Sequence, residues 1–452
     1  MHCTISDKQF FQTAMGIAVP VTIQSMLQSS FSMIDQIMLG QLGSTSVAGV
    51  GLAGKFISIH SVLIAAFGAV AGIMIAQYMG QKNHSEVQRS FRINLTFALL
   101  LAAGFTAVSL AFPTKIMAIY TSDPETVQTA ASYLRIFAGS FFPAAGAAML
   151  AALLRCMEKA SISLYASMAA ALTNTVLNYI LIFGKWGFYP MGSDGAAVAT
   201  VISQWINIGI MLLLYGKVRA TTGVRPSAAG RFLWKQYCAI LLPLLVCEFL
   251  WSLGENVYAA IYGHLGTGAS AAMMLTSPIQ GLMIGALCGL SQAASVIIGK
   301  MLGNREFDDA YHASWKLIRY GLIGAVVLSI GILLLSDPYL SIYAVEPEVK
   351  ELTKQILTVY AIIAPCKVLN MIIGGGIIRC GGQTRIAMLI DMTGTWFFGV
   401  PMGLISAFVL RLPIPWVYLF LSLEECVRLI FSLVILRKRK WMHQLSGGGD
   451  PA

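Results

Sequence analysis

The sequence predicts an all-α polytopic membrane protein, with twelve transmembrane helices in two pseudo-twofold-related six-helix bundles. Three observations carry that expectation. Of 452 residues, 57% are hydrophobic and 11% charged, with mean hydropathy +0.74; a soluble domain carries about a quarter charged residues. Long apolar runs recur, each near or above the roughly 20 residues that cross a bilayer. The chain also repeats itself. Pro20 and the turn Gly40-Gln41-Leu42-Gly43 return 223 residues later as Pro243 and Gly263-His264-Leu265-Gly266. Gly80 returns as Gly303, and Tyr120 and Pro124 as Tyr343 and Pro347. One residue of slippage then aligns Leu154-Arg155-Cys156 with Ile378-Arg379-Cys380. Single matches are weak, but a constant offset from residue 20 to residue 124 indicates an internal duplication.

Residues 1–13 are mildly amphipathic and no cleavable signal follows them. The first span, 14–39, contains Pro20, which lacks an amide donor and is expected to weaken or kink it. The next five are 46–79, 92–112, 126–154, 162–184 and 195–215. A basic connection, 216–232, carries Lys217, Arg219, Arg225 and Arg231. The second set is 236–262, 269–301, 315–335, 348–378, 385–409 and 414–436. The second, fourth, eighth and tenth spans exceed the required length and should tilt or project beyond the bilayer. Gly381-Gly382 reads as a helix stop and tight turn. The expected division is an N-terminal lobe at 1–215, a cytoplasmic linker at 216–232, a C-terminal lobe at 233–440 and a flexible tail at 441–452. Repeats with an even number of spans share one orientation, which places their axis along the membrane normal.

Charge sets the orientation. The connections after the even spans are basic, with Lys82, Arg89, Arg92, Arg155, Lys159, Lys300, Arg305, Arg379 and Arg385, and Arg437-Lys438-Arg439-Lys440 follows the last span. The stretch 337–351 is acidic, with Asp337, Glu346, Glu348 and Glu351. The positive-inside rule then makes both termini cytoplasmic, in a plasma or inner membrane. The net charge of +10 belongs to these loops and is not a nucleic-acid signal. The 8 cysteines form no CxxC pair and mostly lie in apolar runs, as small buried hydrophobes. No phosphate loop, HExxH or nucleophile elbow is present, so neither an ATPase nor a membrane protease is expected, and no cofactor is implied.

Function is sought in the polar residues inside the spans. Asp35 is the only charge on the first span and Glu255 its counterpart on the seventh; under the repeat they fall one helical turn apart. An acid near the bilayer centre costs about 2.5–3.5 kcal/mol on insertion scales, so each is a functional candidate. The plainer readings are an Asp35 shallow enough to reach interfacial water and a structural, hydrogen-bonded Glu255. Trp251, Asn256, Tyr258 and Tyr262 surround Glu255 on its helix; an acid among aromatics suits an organic cation, or equally a proton. Asn174 and Asn178 stand at i,i+4 and share a face within reach of Asp35, or act as packing glue. Thr173, Tyr179 and Thr200 extend that network. Lys367 shares a face with Asn370; either it pairs with Glu255 or it snorkels toward a wet cavity. A fixed cation there would disfavour sodium near Glu255. Structural roles are expected for Lys55, Asp391, Trp396, Pro401, Glu424, Glu425 and Arg428, with Glu424 and Arg428 able to pair at i,i+4. Glu248 is a weaker site candidate. Several methionines, among them Met33, Met38, Met273, Met274 and Met283, are candidates to line a cleft or simply to face lipid.

The chain resembles the multidrug and toxic compound extrusion (MATE) family over nearly its whole length. The likeness rests on VPVTIQSMLQSSFSMIDQIMLGQLG, WSLGENVYAAIYGHLG, LNYILIFG followed by GAAVATVISQW, and IIRCGGQTR with the later Trp396 and Pro401. It implies a two-lobe, twelve-helix antiporter, alternating access between its lobes and exporting amphipathic, often cationic compounds against H+ or Na+. The family's first-helix aspartate matches Asp35, its seventh-helix glutamate Glu255 and its fifth-helix asparagine Asn174. Where some members carry an acid one turn later, this chain has Asn178. Where sodium-coupled members have a tenth-helix aspartate, only Lys367 and Asn370 stand nearby, which favours protons. The expected coupling residues are Asp35, Glu255, Asn174, Asn178 and Lys367. The expected substrate contacts are Asp35, Gln24, Gln28, Trp251, Glu255, Tyr258, Tyr262 and Asn370, in a monomer whose partners are small organic cations and lipid. The alternative is a lipid-linked saccharide flippase of related fold, which calls for a more cationic cleft and extra helices. A channel or receptor is a third reading.

Overall fold

A computed structural model describes residues 7–42, 44–222, 234–341, 343 and 346–445, with the side chains of residues 33, 44, 218–222 and 267 excepted. Every described element is helical. Helix α1 runs Asp7–Gly40 and passes through Pro20 without ending there. Helix α2 is Ser44–Gly80, and α3 is His84–Ala111, capped by Asn83, whose side chain accepts from Glu86 N at 3.2 Å. A short α4, Pro113–Ala118, leads to α5, Pro124–Phe137. Asp123 caps α5 by accepting from Thr126 N at 3.1 Å, and these hydrogen bonds hold its carboxyl below the usual range. A 3₁₀ turn, Ala138–Ser140, joins α5 to α6, Phe141–Cys156, and together they make the fourth span. Helix α7 is Ala160–Phe183, ended by the left-handed Gly184; α8 is Ser193–Thr222.

The second half repeats the pattern with α9, Trp234–His264, α10, Thr267–Gly303, and α11, Phe307–Ser341. Helix α12, Pro347–Asn370, continues as wide π-helical turns to Ile378. There Ser291 of α10 donates to Met371 O at 2.7 Å, drawing off a carbonyl that would otherwise serve the ladder. Helix α13, Thr384–Met392, runs on through π-helical Thr393–Gly399, then α14, Val400–Leu404, and π-helical Ile405–Val409. Pro401 lacks the amide that would bond one turn back, and the wide turns on either side absorb the mismatch.

Among the described residues, eleven helices are long and apolar enough to cross a membrane. The twelfth expected span differs from its sequence reading. It is broken at Leu423 into α15, Ile414–Ser422, and α16, Glu424–Arg437. The turn is tightened there, because Leu423 O accepts from both Cys426 N at 3.0 Å and Val427 N at 3.2 Å. Glu424 and Glu425, which open α16, are both turned inward and buried.

The described residues form two compact units. One comprises those within 23–75 and 83–230; the other those within 1–22, 76–82 and 231–452. In this second unit the ends of α2 and α10 meet reciprocally. A Cβ at Gly80 would strike Lys300 O, and one at Gly303 would strike Gln77 O. The four residues are two repeat-related pairs at the 223-residue offset, so glycine at each place lets backbone meet backbone. The Gln77 side chain also donates to Cys380 O at 2.7 Å and accepts from Leu445 N at 2.7 Å. Residues 441–445, expected to begin a flexible tail, are therefore docked, with Trp441 fully buried and Gln81 Nε2 donating to Leu445 O at 2.8 Å. Residues 223–233, with Arg225 and Arg231, and the end of the tail at 446–452, lie outside the described residues, as does Gly43.

Candidate functional site

In the unit containing 23–75, Asp35 of α1 meets the two asparagines of α7. Asn178 Nδ2 donates to Asp35 Oδ1 at 2.7 Å. With its amide turned to satisfy both neighbours, Asn174 Nδ2 lies 3.1 Å from Oδ1 and 3.2 Å from Oδ2 of the same carboxylate. The far side of that amide meets Thr200 Oγ1 of α8 at 3.3 Å. Asn178 is 1% exposed and Asn174 8%, while Asp35 is half-buried. The i,i+4 spacing on α7 thus delivers both amides to one acid. Tyr133 of α5, not singled out from the sequence, is buried in the electrostatic neighbourhood of Asp35. Gln24 is engaged with α7: its amide donates to Ser167 Oγ at 2.8 Å and its carbonyl accepts from Ser163 at 3.3 Å. Gln28 and Lys55 are exposed, as is Tyr179; Thr173 caps back onto Ala169 O at 2.8 Å.

In the other unit, Glu255 lines a cavity of about 140 Å³ with Tyr258, Tyr262, Lys367, Glu424 and Glu425. Of the two readings of Lys367, a direct pair with Glu255 is not formed, and the residue faces a cavity. The two residues share the cavity, in which the ammonium also faces Glu424 and Glu425. Met273 also lines this space, whereas Met283 is buried and Met274 exposed. Tyr258 is buried and its hydroxyl donates to Glu424. Tyr262 packs on Tyr418 of α15, ring centroids 6.4 Å apart. Asn256 bonds back to Ser252 O at 2.7 Å and takes no part in the cavity.

A second cavity, of about 280 Å³, shares Lys367 and Glu425 with the first and adds Trp251, Glu248, Asn370, Arg379, Asp391 and Arg428. Here charges are chained. Arg379 reaches Glu248 at 3.2 Å and Asp391 at 3.5 Å. Arg428 also binds Asp391, and it reaches Glu425 at 3.5 Å. The expected Glu424–Arg428 pair exists only at 4.0 Å, because the guanidinium is drawn to the other two acids. Asn370 Nδ2 donates to Glu425 O at 2.6 Å and Oε2 at 2.9 Å. Sequence reasoning placed Glu424, Glu425, Asp391 and Arg428 in structural roles and missed this cluster. The available signal was the number of acids inside the later spans.

The MatE family profile matches residues 20–180 and again 243–405, its two starts separated by the repeat offset. The chain is similar to a probable multidrug resistance protein NorM of Agrobacterium fabrum, 25% identical over 89% of this chain and 88% of the relative. It is similar to the multidrug resistance protein MdtK of Yersinia enterocolitica, 24% identical over 87% of this chain and 86% of the relative. It also shares the fold of a multidrug resistance MATE family transporter of the MOP superfamily, solved in an outward-facing conformation, with TM-score 0.86, 19% identity and coverage of 94% and 95% of the two chains.

Proposed function

We propose that this chain, which belongs to the MatE family of membrane transporters, exports amphipathic, often cationic compounds in exchange for protons by alternating access. The observation that carries the reading is the Asp35 carboxylate, set in a long apolar helix and held by the amide of a buried asparagine. An acid so placed binds a proton or an organic cation, but not both at once, and that competition is sufficient to couple two gradients. Asn178 and Asn174 donate to the ionised carboxylate; they position it and do not exchange protons. Glu255, exposed beside tyrosines and Trp251, supplies a second counter-charge and aromatic faces for a cation. Lys367 stands in the same cavity and opposes a sodium ion there. The relatives' names support multidrug export. The basic even-numbered connections support cytoplasmic termini in an inner membrane, and nothing in the reading requires a second copy.

The test is dye-cation efflux from everted vesicles, with proton and sodium gradients imposed separately. Proton-driven efflux lost in Asp35→Asn supports the reading. Efflux driven by sodium alone, or undiminished in that variant, contradicts it.

A further inference from the structure

We propose that Glu424, at the break between α15 and α16, is a second exchangeable proton site, so that the later half of the chain carries its proton on α16 and not on Glu255. The inference rests on the proton-coupled reading above.

Its basis is the inventory of charge around the two cavities that share Lys367 and Glu425. Five carboxylates line them, Glu248, Glu255, Asp391, Glu424 and Glu425, against three cations, Lys367, Arg379 and Arg428. Two negative charges remain, and in a low-dielectric interior an unpaired charge is expensive enough to be neutralised. The five acids are not equally placed. Asp391 accepts from both guanidiniums, and Glu248 is paired with Arg379 at 3.2 Å. Glu425 has Arg428 at 3.5 Å and the Asn370 amide at 2.9 Å. Glu255 is exposed, unlike the other two acids of the smaller cavity. Glu424 is 7% exposed, its guanidinium stands last in line at 4.0 Å, and its sequence neighbour is another buried carboxylate.

Of the remaining neighbours only Lys367 is a cation. From α9, Tyr258 donates its hydroxyl to Glu424 and Tyr262 lines the cavity beside it; from α12 come Tyr360 and Lys367, and from α15 Tyr418. Lys367 shares the cavity with Glu425, Glu255 and Glu424, so one ammonium faces three carboxylates. The step is proton binding alone: one O–H bond forms on Glu424 with a proton from one aqueous phase and breaks on release to the other.

Infrared difference spectra of the purified full-length protein in lipid nanodiscs, taken between acidic and alkaline buffer, read the protonated carboxyl groups directly. With both buffers held above the ordinary carboxylate range, so that exposed acids stay ionised, the pH-dependent acid C=O band should lose about half its amplitude in Glu424→Gln, the remainder being Asp35, and should persist in Glu255→Gln. Tyr258→Phe keeps the carboxyl but removes its donor, and should move the band's titration midpoint to higher pH. It also guards against a Glu424→Gln variant that fails to fold. A full band in folded Glu424→Gln, its loss in Glu255→Gln, or an unmoved midpoint in Tyr258→Phe overturns the proposal. The spectra do not depend on transport, so a chain that shows the band yet fails to export any dye contradicts the transport reading alone.

Discussion

Asn178, 143 residues beyond Asp35 in the chain, donates its side-chain amide to the Asp35 carboxylate at 2.7 Å. Hydrogen bonds to a charged group contribute about 1.5–3 kcal/mol. Asn178→Ala should therefore weaken the ionised form of Asp35 and cut substrate-cation affinity by ~10- to 100-fold, with the fold retained. Dye binding to purified protein measures it; affinity equal to the parent's would remove Asn178 from the site.

Lys367 is the fixed cation of a cavity that also holds Glu255, Glu424 and Glu425. Its replacement by methionine leaves three carboxylates without that charge. At an effective dielectric of about 20, one unit charge some 4 Å away is worth about 4 kcal/mol. Lys367→Met should raise sodium affinity on the order of tenfold or more, and make efflux respond to an imposed sodium gradient at fixed pH. A variant as indifferent to sodium as its parent would show that Lys367 does not set ion selectivity.

Gly80 and Gly303 each lie against a backbone carbonyl of the other's repeat, at Lys300 and Gln77. A methyl group has no room at either place. Gly80→Ala and Gly303→Ala should each lower stability by about 1–3 kcal/mol, and by similar amounts because the contacts are reciprocal. Thermal unfolding in detergent compares them; one tolerant and one intolerant position would mean the twofold relation is not maintained there.

Trp441 is fully buried, and Gln77 bonds the backbone at Cys380, just before the Gly381 turn, and at His443 and Leu445 of the docked strip. Trp441→Ala should cost about 3–5 kcal/mol, whereas truncation after residue 445 should be neutral. The same melting experiment decides, and an unaffected Trp441→Ala would mean that 441–445 is not a structural element.

The apolar runs and the duplication made the helical architecture legible, because a bilayer admits few backbone solutions. The Asp35–Asn178 contact was half legible: two asparagines one turn apart on an apolar helix left open a bond to Asp35 or a packing role between helices, and the structure shows the bond. The Glu424 site was not. Nothing local marks Leu423 as a break, for neither glycine nor proline stands there, and Tyr258, 166 residues earlier, meets Glu424 only through tertiary packing. The i,i+4 rule favoured Arg428 as its partner, yet Asp391 on another helix captures that guanidinium. The docking of 441–445 was hidden because the strip is short and follows the basic run Arg437-Lys438-Arg439-Lys440, and its hydrogen bonds come from Gln77 and Gln81 at the far end of the sequence.

The central claim is that Asp35 exchanges a proton for a cationic substrate, and proton counting on purified protein tests it most directly. Addition of a cationic dye to protein in weakly buffered solution should release protons in proportion to the dye bound. In Asp35→Asn that release should fall by at least half while the protein stays folded. Dye binding without proton release in the parent, or undiminished release in Asp35→Asn, would contradict the account.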